Sequence, residues 1–305
     1  MQRVSIIGLG LIGGSIGLAL KQRQSETGAP SPILIGYDHD PNRRELAMQR
    51  QIVDHVSTHL PEAVSAAQII IIATPALAIR QVFAELAPLI HDGTLITDTA
   101  STKAAVLRWA REFLPGGVHF IGGHPMAGST GSLEEARPDL FSGATYCLVP
   151  ALHADEDARV DEVAMSTLHS IVTALGAKPL LIDAETHDRC VAAISHLPFI
   201  TSTALVETLA GNPDSEMMSK LASSGFRDTS RLAAGDPAMY HSIALTNREA
   251  ITFWLDTYIG QLQAIRWMLQ TAQDTQNDPL LHLFSRAKPD RQKIIDGRES
   301  ARDQQ

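Results

Sequence analysis

The residues most capable of chemistry begin almost at the N-terminus of this chain. Gly8-Leu9-Gly10-Leu11-Ile12-Gly13 ends a short apolar run, Val4–Gly8, and opens a helical pattern. A glycine-rich turn between a strand and a helix lets backbone N–H groups approach a pyrophosphate, whose charge the helix N-terminus favours. Because the strand and the helix are both present, we predict that Gly8, Gly10, Leu11, Ile12 and Gly13 bind a dinucleotide.

Polar residues and turns also end the next two predicted strands. Asp38 closes one of them, where a carboxylate accepts hydrogen bonds from ribose hydroxyls and repels a 2′-phosphate. Asp38 therefore predicts NAD as the cofactor, with NADP less favoured, although Arg43 and Arg44 lie close by. Thr74 and Pro75 follow another strand, at the edge where open α/β sheets bind ligands, and are assigned to the same site.

A histidine follows a later strand. His124 lies within Gly122-Gly123-His124-Pro125-Met126-Ala127-Gly128, directly after a predicted strand. A side chain in that position points into the crevice in which a nicotinamide ring would lie, and an imidazole that titrates near neutral pH suits a general base. We therefore predict that His124 is the base of the reaction.

The elements that must position these residues fall into two classes. Up to about residue 182, β-rich runs alternate with amphipathic stretches, which is the pattern of βαβ units around a parallel sheet. The predicted strands are Val4–Gly8, Ile33–Asp38, Ile69–Thr74, Thr94–Asp98, His119–Gly122, Thr145–Val149 and Pro179–Ile182. From Ala184 onward the pattern is helical, over about 184–210, 214–224, 236–272 and 278–296. We predict a Rossmann-type α/β dinucleotide-binding domain, residues 1–182, followed by an all-α domain, residues 183–305.

Composition narrows the classes of function. Acidic residues outnumber basic ones, 34 to 25, and the net charge of −9 disfavours a nucleic-acid-binding surface. Two cysteines cannot build a disulfide framework or a four-thiolate metal site, and no metal site is predicted. No apolar run approaches about 18 residues and the N-terminus lacks a signal-peptide pattern, so we expect a cytoplasmic protein that does not span a membrane.

Four motifs together are much more specific than the glycine loop. Besides the motif around His124, they are Thr97-Asp98-Thr99-Ala100-Ser101-Thr102-Lys103, Ser195-His196-Leu197-Pro198 and Gly225-Phe226-Arg227-Asp228-Thr229-Ser230-Arg231. Over about residues 1–295 the chain resembles the prephenate/arogenate (cyclohexadienyl) dehydrogenases of tyrosine biosynthesis. The resemblance implies an NAD(P)-binding domain, a helical dimerisation domain and a homodimer.

The resemblance also implies roles for single residues. His124 takes the proton from the ring 4-hydroxyl of the substrate, and Ser101 hydrogen-bonds near that hydroxyl and the histidine. His196 and Arg231 hold the carboxylates of the substrate. Hydride leaves C4 for NAD, and the conjugated ketone that results is the electron sink for loss of CO2, so no metal is needed.

Each of these roles has a structural alternative. Ser101 could only cap the helix that follows it, and His196 could satisfy backbone groups in a helical core. Arg231 could pair with Asp228, three residues before it. Asp228 is also assigned to the substrate site, where an unpaired carboxylate would favour the ammonium group of arogenate.

Two positions depart from the family pattern. Phe199 stands where many relatives have a second histidine, and Tyr240 stands where relatives often have a tryptophan. Tyr240 is assigned to the substrate site, in its own subunit or in that of the partner.

A long apolar stripe predicts an interface between subunits. Apolar residues recur every three or four positions over about five helical turns, at Ile251, Trp254, Leu255, Tyr258, Ile259, Leu262, Ile265 and Leu269. A stripe of this length in a small helical domain is expected to cover a twin subunit as well as its own core.

Three functions compete at this point. The favoured one is NAD-dependent oxidation of prephenate to 4-hydroxyphenylpyruvate, with arogenate as the alternative substrate. A 3-hydroxyacid dehydrogenase would use a helical-domain lysine with an asparagine four residues later, but the residue four positions after Lys220 is a serine. A Rossmann-fold redox sensor or binding module would not need the base and the carboxylate-binding residues together.

Overall fold

The computed structural model describes residues 2–27, 32–128, 131–150, 162–273, 275–276 and 278–303. These residues divide into two compact units, 1–251 and 252–305. The domain boundary expected near Asp183 lies within the first unit, just after the last strand of its sheet, and it stays a prediction.

An eight-stranded sheet forms the centre of the first unit. Its strands, in sheet order, are β3 (His55–Ser57), β2 (Ile33–Tyr37), β1 (Arg3–Ile7), β4 (Ile69–Ile72), β5 (Leu95–Asp98), β6 (His119–Pro125), β7 (Thr145–Pro150) and β8 (Lys178–Leu181). All neighbouring strands are parallel except β6 and β7. The seven predicted strands are all present, whereas β3 was not predicted because three residues of mixed polarity leave no pattern.

Helices pack against both faces of this sheet. They are α1 (Leu11–Thr27), α2 (Pro41–Gln49), α3 (Leu60–Val64), α4 (Ala76–Leu86), α5 (Ala104–Phe113) and α6 (Glu162–Ala174). One apolar cluster joins the sheet to α1, α2 and α6, and a second joins it to α3, α4 and α5. The strand order reverses between β1 and β4, and ligands of such sheets bind outside the carboxyl ends of the strands at this point. The predicted fold class is confirmed.

The elements that follow β8 are helical, as predicted, but more divided. They are α7 (Ala184–Val191), a π-helical turn (Ala192–His196), α8 (Leu197–Leu209), α9 (Ser215–Leu221), α10 (Ser224–Ser230), a 3-10 turn (Arg231–Ala234), α11 (Pro237–Thr246), α12 (Arg248–Thr271) and α13 (Pro279–Asp303). The helix predicted over 214–224 ends earlier, and a separate helix, α10, follows it. The helix predicted over 236–272 is interrupted at Asn247.

One helical stretch is long, and more apolar than the sequence pattern indicated. Residues Ala184–Leu209 are apolar enough, at a mean hydropathy of 1.4, to cross a membrane by length and composition. The same stretch carries His187, Asp188 and His196, which are buried and hydrogen-bonded within the first unit. Because polar side chains are costly in lipid, we assign this stretch to the folded unit.

Four of the eight side chains in the apolar stripe of α12 are exposed, and all four belong to the second unit. The side chains of Tyr258, Ile259, Leu262 and Leu269 are between 38% and 60% exposed in the single chain. An exposed apolar face of this length is typical of a surface that another chain covers.

Candidate active site

A crevice of about 620 Å³ lies at the carboxyl ends of β1, β2 and β4. We call it the glycine-loop crevice. It is lined by seven of the eight predicted cofactor residues, Gly8, Gly10, Leu11, Ile12, Asp38, Thr74 and Pro75. Residues that the sequence analysis assigned to one cofactor site therefore lie together around one crevice.

The glycine loop has the shape that a pyrophosphate needs. Gly8 adopts a φ of +97°, and a Cβ there would lie 2.6 Å from the carbonyl oxygen of Ala73. A Cβ at Gly13 would collide with the carbonyl oxygen of Gly8, so Gly13 serves helix packing behind the crevice. Apart from its own helix and its chain neighbours, no atom of the described residues lies within 4 Å of the Cβ position of Gly10, which leaves its backbone open to a ligand at the start of α1.

Two hydroxyl groups on the crevice wall are buried, those of Thr74 and Ser242. Thr74 Oγ1 and Ser242 Oγ are buried and have no hydrogen-bond partner among the described residues. Buried polar atoms are normally satisfied, so these hydroxyls fit the hydrogen-bonding groups of a bound dinucleotide.

Asp38 is held rigidly beside the loop. Its carboxylate accepts hydrogen bonds from the backbone N–H of Leu9 at 2.8 Å and of Asp40 at 2.9 Å. Arg43 lies 3.7 Å from the same carboxylate, and Arg44 donates to the carbonyl oxygen of Asp38. These contacts hold the Asp38 carboxylate in one orientation, in which its oxygens could accept hydrogen bonds from a ribose.

A second cavity, of about 600 Å³, adjoins the crevice and contains the predicted chemistry. We call it the His124 cavity. It is lined by Ser101, His124, His196, Arg231 and Tyr240, all predicted for the catalytic or substrate site. The two spaces share the residues Ile12, Thr99, Ser101, Met239 and Ile243. A ligand in one space is therefore next to a ligand in the other.

Asp228 lies outside this cavity. It is exposed on α10 and pairs with Arg227 at 3.7 Å rather than with Arg231. Helical spacing would place Asp228 and Arg231 on one face, but α10 ends at Ser230 and Arg231 begins a 3-10 turn. The described residues provide Arg231 with no carboxylate partner, so its guanidinium is available to a ligand.

Tyr240 lines the cavity of its own chain. Its ring stacks on Phe199, with centroids 3.4 Å apart and ring planes 6° from parallel. Phe199, which replaces the second histidine of the family pattern, therefore packs against Tyr240, which replaces the tryptophan. Burial raises the pKa of Tyr240, against the opposing effect of Arg231 nearby, so the phenol is neutral at physiological pH.

A buried ion pair fixes the strand that carries His124. The ammonium of Lys103 bonds to the carboxylate of Asp98 and to the carbonyl oxygen of Gly123, and both charged side chains are fully buried. Asp98 also accepts a hydrogen bond from the backbone N–H of Gly123 at 3.1 Å. Burial lowers the pKa of Lys103, and Asp98 opposes that shift.

The ring of His124 contacts a second buried histidine. Its Nδ1 lies 2.9 Å from Nε2 of His187, whose Nδ1 lies 2.8 Å from a carboxylate oxygen of Asp188. Burial, together with His187, Lys103 and His196, lowers the pKa of His124 well below its ordinary value. His124 is therefore neutral at physiological pH and able to accept a proton.

His196 is buried at the end of the π-helical turn. Its Nδ1 lies 3.3 Å from the amide nitrogen of Asn247, which also donates to the carbonyl oxygen of Asp188 at 2.8 Å. An amide nitrogen only donates, so Nδ1 of His196 is the acceptor and Nε2 carries the proton. Burial lowers the pKa of His196 to about 4, although Asp188 opposes the shift.

The structure also bears on a 3-hydroxyacid dehydrogenase, which would use a lysine, and on metal binding. Lys220 is exposed on α9, bonds to Glu216 at 2.7 Å and lines neither cavity. Within the part of the chain that the structure describes, no cluster of His, Cys, Asp or Glu is arranged to hold a metal ion.

Sequence reasoning missed the residues behind the first layer of the site. His187, Asp188, Lys103 and Asn247 line neither described cavity. His187 and Asn247 contact His124 and His196, which do, and Asp188 bonds to His187, to Asn247 and to the backbone N–H of Lys103. Two signals were available: Lys103 ends one of the four motifs, and His187 and Asp188 are adjacent inside an otherwise apolar helical stretch.

Known proteins resemble this chain over nearly its whole length. The family model described as "Prephenate dehydrogenase, nucleotide-binding domain" matches residues 16–178, and "Prephenate dehydrogenase, dimerization domain" matches residues 183–286. A prephenate dehydrogenase of Bacillus subtilis is 33% identical over 93% of this chain and 74% of its own length. The crystal structure of a Synechocystis arogenate dehydrogenase is 33% identical, with a TM-score of 0.79, over 96% of this chain and 100% of that one.

A third relative shares the fold at lower identity. It is the prephenate dehydrogenase of A. aeolicus, solved in complex with hydroxyphenyl propionate and NAD+. It is 24% identical, with a TM-score of 0.84, over 96% of this chain and 98% of its own.

Proposed function

The chain belongs to the prephenate dehydrogenase family, and from this premise we propose that it catalyses the NAD-dependent oxidative decarboxylation of prephenate to 4-hydroxyphenylpyruvate. One observation carries the proposal. The crevice that fits a dinucleotide adjoins the cavity that contains His124, Ser101 and Arg231. Redox chemistry between a nicotinamide and a carboxylated substrate requires this adjacency.

The residues have distinct parts in this mechanism. NAD, when bound in the glycine-loop crevice, supplies the hydride acceptor. His124 accepts the proton of the ring 4-hydroxyl, and Ser101, on the border of the two spaces, hydrogen-bonds to that hydroxyl. Arg231 holds a carboxylate by charge-assisted hydrogen bonds, and the Nε2–H of His196 donates to the carboxylate end of the substrate. Loss of CO2 and aromatisation then complete the reaction.

The charges of the His124 cavity favour prephenate over arogenate. The two substrates share the ring carboxylate and differ in the side chain, which is a keto acid in prephenate and an amino acid in arogenate. Among the described residues of this cavity, Arg231 is a cation and none is acidic. An ammonium group would find no carboxylate among these described residues, and Asp228 faces solvent on α10.

Arogenate is the second candidate, because the Synechocystis relative at 33% identity is an arogenate dehydrogenase. A substrate-by-cofactor matrix decides between them: prephenate and arogenate are each assayed with NAD and with NADP. We expect the highest kcat/KM for prephenate with NAD. A kcat/KM for arogenate well above that for prephenate would overturn the substrate assignment, and no oxidation of either would overturn the function.

The cofactor preference gives a further prediction. Replacing Asp38 with serine is expected to shift the ratio of kcat/KM for NADP to that for NAD upward by about 10-fold or more, the size of one charged hydrogen bond. The substitution removes both the ribose acceptor and the repulsion of a 2′-phosphate, and Arg43 on the same wall becomes free to contact that phosphate.

Asp38→Asn is the matched control for this prediction. Asparagine removes the charge but retains an oxygen that can accept from the N–H of Leu9, so the glycine loop keeps its support. Both variants should gain NADP activity. If the wild-type protein already reduces NADP as efficiently as NAD, Asp38 does not set the preference.

We also propose a homodimer formed through the helical residues 183–305, while residues 1–182 form the dinucleotide-binding domain, whose crevice Ser242 of the helical part also lines. The exposed apolar side chains of α12 and the family description of residues 183–286 as a dimerization domain support this assignment. We place the protein in the cytoplasm, as its sequence predicts.

A further inference from the structure

Three buried side chains form a continuous line behind the cavity. They are His124, His187 and Asp188, with exposed fractions of 9%, 1% and 4%. The contacts between them measure 2.9 Å and 2.8 Å. This line starts at the residue that meets the substrate and ends at a carboxylate on α7.

The carboxylate at the end of the line is fixed by backbone donors. Asp188 accepts hydrogen bonds from the N–H of Lys103 at 2.7 Å and of Ala104 at 2.9 Å, at the start of α5. A carboxylate that caps a helix in this way acts only as an acceptor. The proton shared between Asp188 and His187 therefore resides on Nδ1 of His187.

The position of this proton determines the next one. Because Nδ1 of His187 donates to Asp188, Nε2 is the bare nitrogen of its neutral ring. Neutral His187 offers Nε2 as an acceptor, and the proton between the two rings then resides on Nδ1 of His124. The remaining nitrogen of His124, Nε2, has a free lone pair.

We propose that His187 and Asp188 are positioning residues that keep His124 in the tautomer whose Nε2 accepts the substrate proton. When His124 becomes charged in the reaction, its Nδ1–H remains bonded to a line that ends in an anion, which stabilises the imidazolium. This inference rests on the proposed function, in which His124 is the base.

Asp188 also affects the tautomer of His196, and there the proton lies on the other ring nitrogen. The backbone carbonyl of Asp188 orients Asn247, whose amide leaves Nε2 of His196 protonated. Asp188 thus favours a bare Nε2 on His124, which can accept a proton, and a protonated Nε2 on His196, which can donate a hydrogen bond. A proton acceptor and a carboxylate ligand need these two opposite ring states.

The kinetic test compares two replacements of His187. His187→Leu removes the acceptor, whereas the side-chain oxygen of His187→Gln can accept from Nδ1 of His124. We expect kcat to fall by about 10²-fold in the leucine variant, the lower end of what a positioned base contributes. KM for NAD and for prephenate should stay within a few-fold of wild type, and glutamine should restore most of kcat.

His169→Leu is the control, because His169 is exposed on α6 and lines neither cavity. It should behave as wild type. Equal losses in the leucine and glutamine variants, or an unchanged kcat in the leucine variant, would overturn the proposal.

A spectroscopic test reads the tautomer without any turnover. The protein is labelled with nitrogen-15 in its 12 histidines, and the signals of His124 are identified by their loss in His124→Asn. At neutral pH we expect Nδ1 of His124 to be protonated and Nε2 to be bare in the wild-type protein, with a mixture of tautomers in His187→Leu. A protonated Nε2 in wild type would refute the proposal, even if the protein oxidised neither prephenate nor arogenate.

Discussion

Replacing His124 with asparagine is expected to lower kcat by about 10²–10⁴-fold, the range that a positioned general base contributes. The amide nitrogen of asparagine can occupy the region of Nδ1 and still donate to His187, so the local geometry is retained. No atom of asparagine can accept a proton in place of Nε2. The dissociation constant for NAD should not change, because His124 does not line the glycine-loop crevice.

Steady-state kinetics and a direct titration with NAD measure the two quantities separately. His169→Asn, on the exposed face of α6, controls for the loss of a histidine elsewhere. Turnover of the His124 variant within a few-fold of wild type would remove His124 from the role of base.

The pH dependence of the wild-type protein supports the same test. Burial and the neighbouring His187 and Lys103 lower the pKa of His124 well below 6.5. Since only the neutral ring accepts a proton, kcat/KM should stay level as pH falls to about 6.5 and decline only below it. This acidic limb should be absent from the residual activity of His124→Asn.

The sequence predicted the parts of the fold that local pattern controls. The continuous apolar run of β4 and the alternation of strands with helices follow from periodicity, which any βαβ unit must satisfy. The antiparallel pairing of β7 with β6 could not be predicted in this way, because strand direction depends on the connection and not on the composition of the strand.

Long-range contacts explain what was missed in the site. His187 lies 63 residues from His124, and Asn247 lies 51 residues from His196, so no motif of short spacing links them. Asn247 also divides α11 from α12, and its side chain bonds to Asp188 on another helix rather than within its own. The break between α11 and α12 and the contact of Asn247 with Asp188 both depend on tertiary packing, which helix propensity does not predict.

The structure separates two residues of one motif. Three-residue spacing suggests that Asp228 and Arg231 pair, but Asp228 pairs with Arg227 and only Arg231 lines the His124 cavity. The assignment of Asp228 to the substrate site stays a prediction.

Replacing Arg231 with alanine is expected to raise KM for prephenate by about 10–150-fold, which corresponds to about 1.5–3 kcal/mol for a hydrogen bond to a charged group. Arg231 lines the His124 cavity and has no carboxylate partner among the described residues, so its guanidinium can bind the carboxylate of a ligand. Because the carboxylate it holds does not change charge before CO2 leaves, kcat should fall much less than kcat/KM.

Two neighbours of Arg231 provide matched controls. Arg227→Ala removes an equal charge four residues earlier, on the exposed face of α10. Asp228→Asn removes the partner of Arg227. Both variants should keep KM for prephenate and for arogenate within a few-fold of wild type, since neither residue lines the cavity.

The two controls also separate the candidate substrates. If Asp228→Asn weakened the use of arogenate much more than that of prephenate, the carboxylate would contact the substrate ammonium in solution, and the exposed position of Asp228 would not describe the working enzyme.

If Arg231→Ala left KM for both substrates unchanged, His196 alone would have to hold the carboxylate. A neutral donor contributes less than a guanidinium to that contact, so the cavity would then lack the cation on which the choice of prephenate depends.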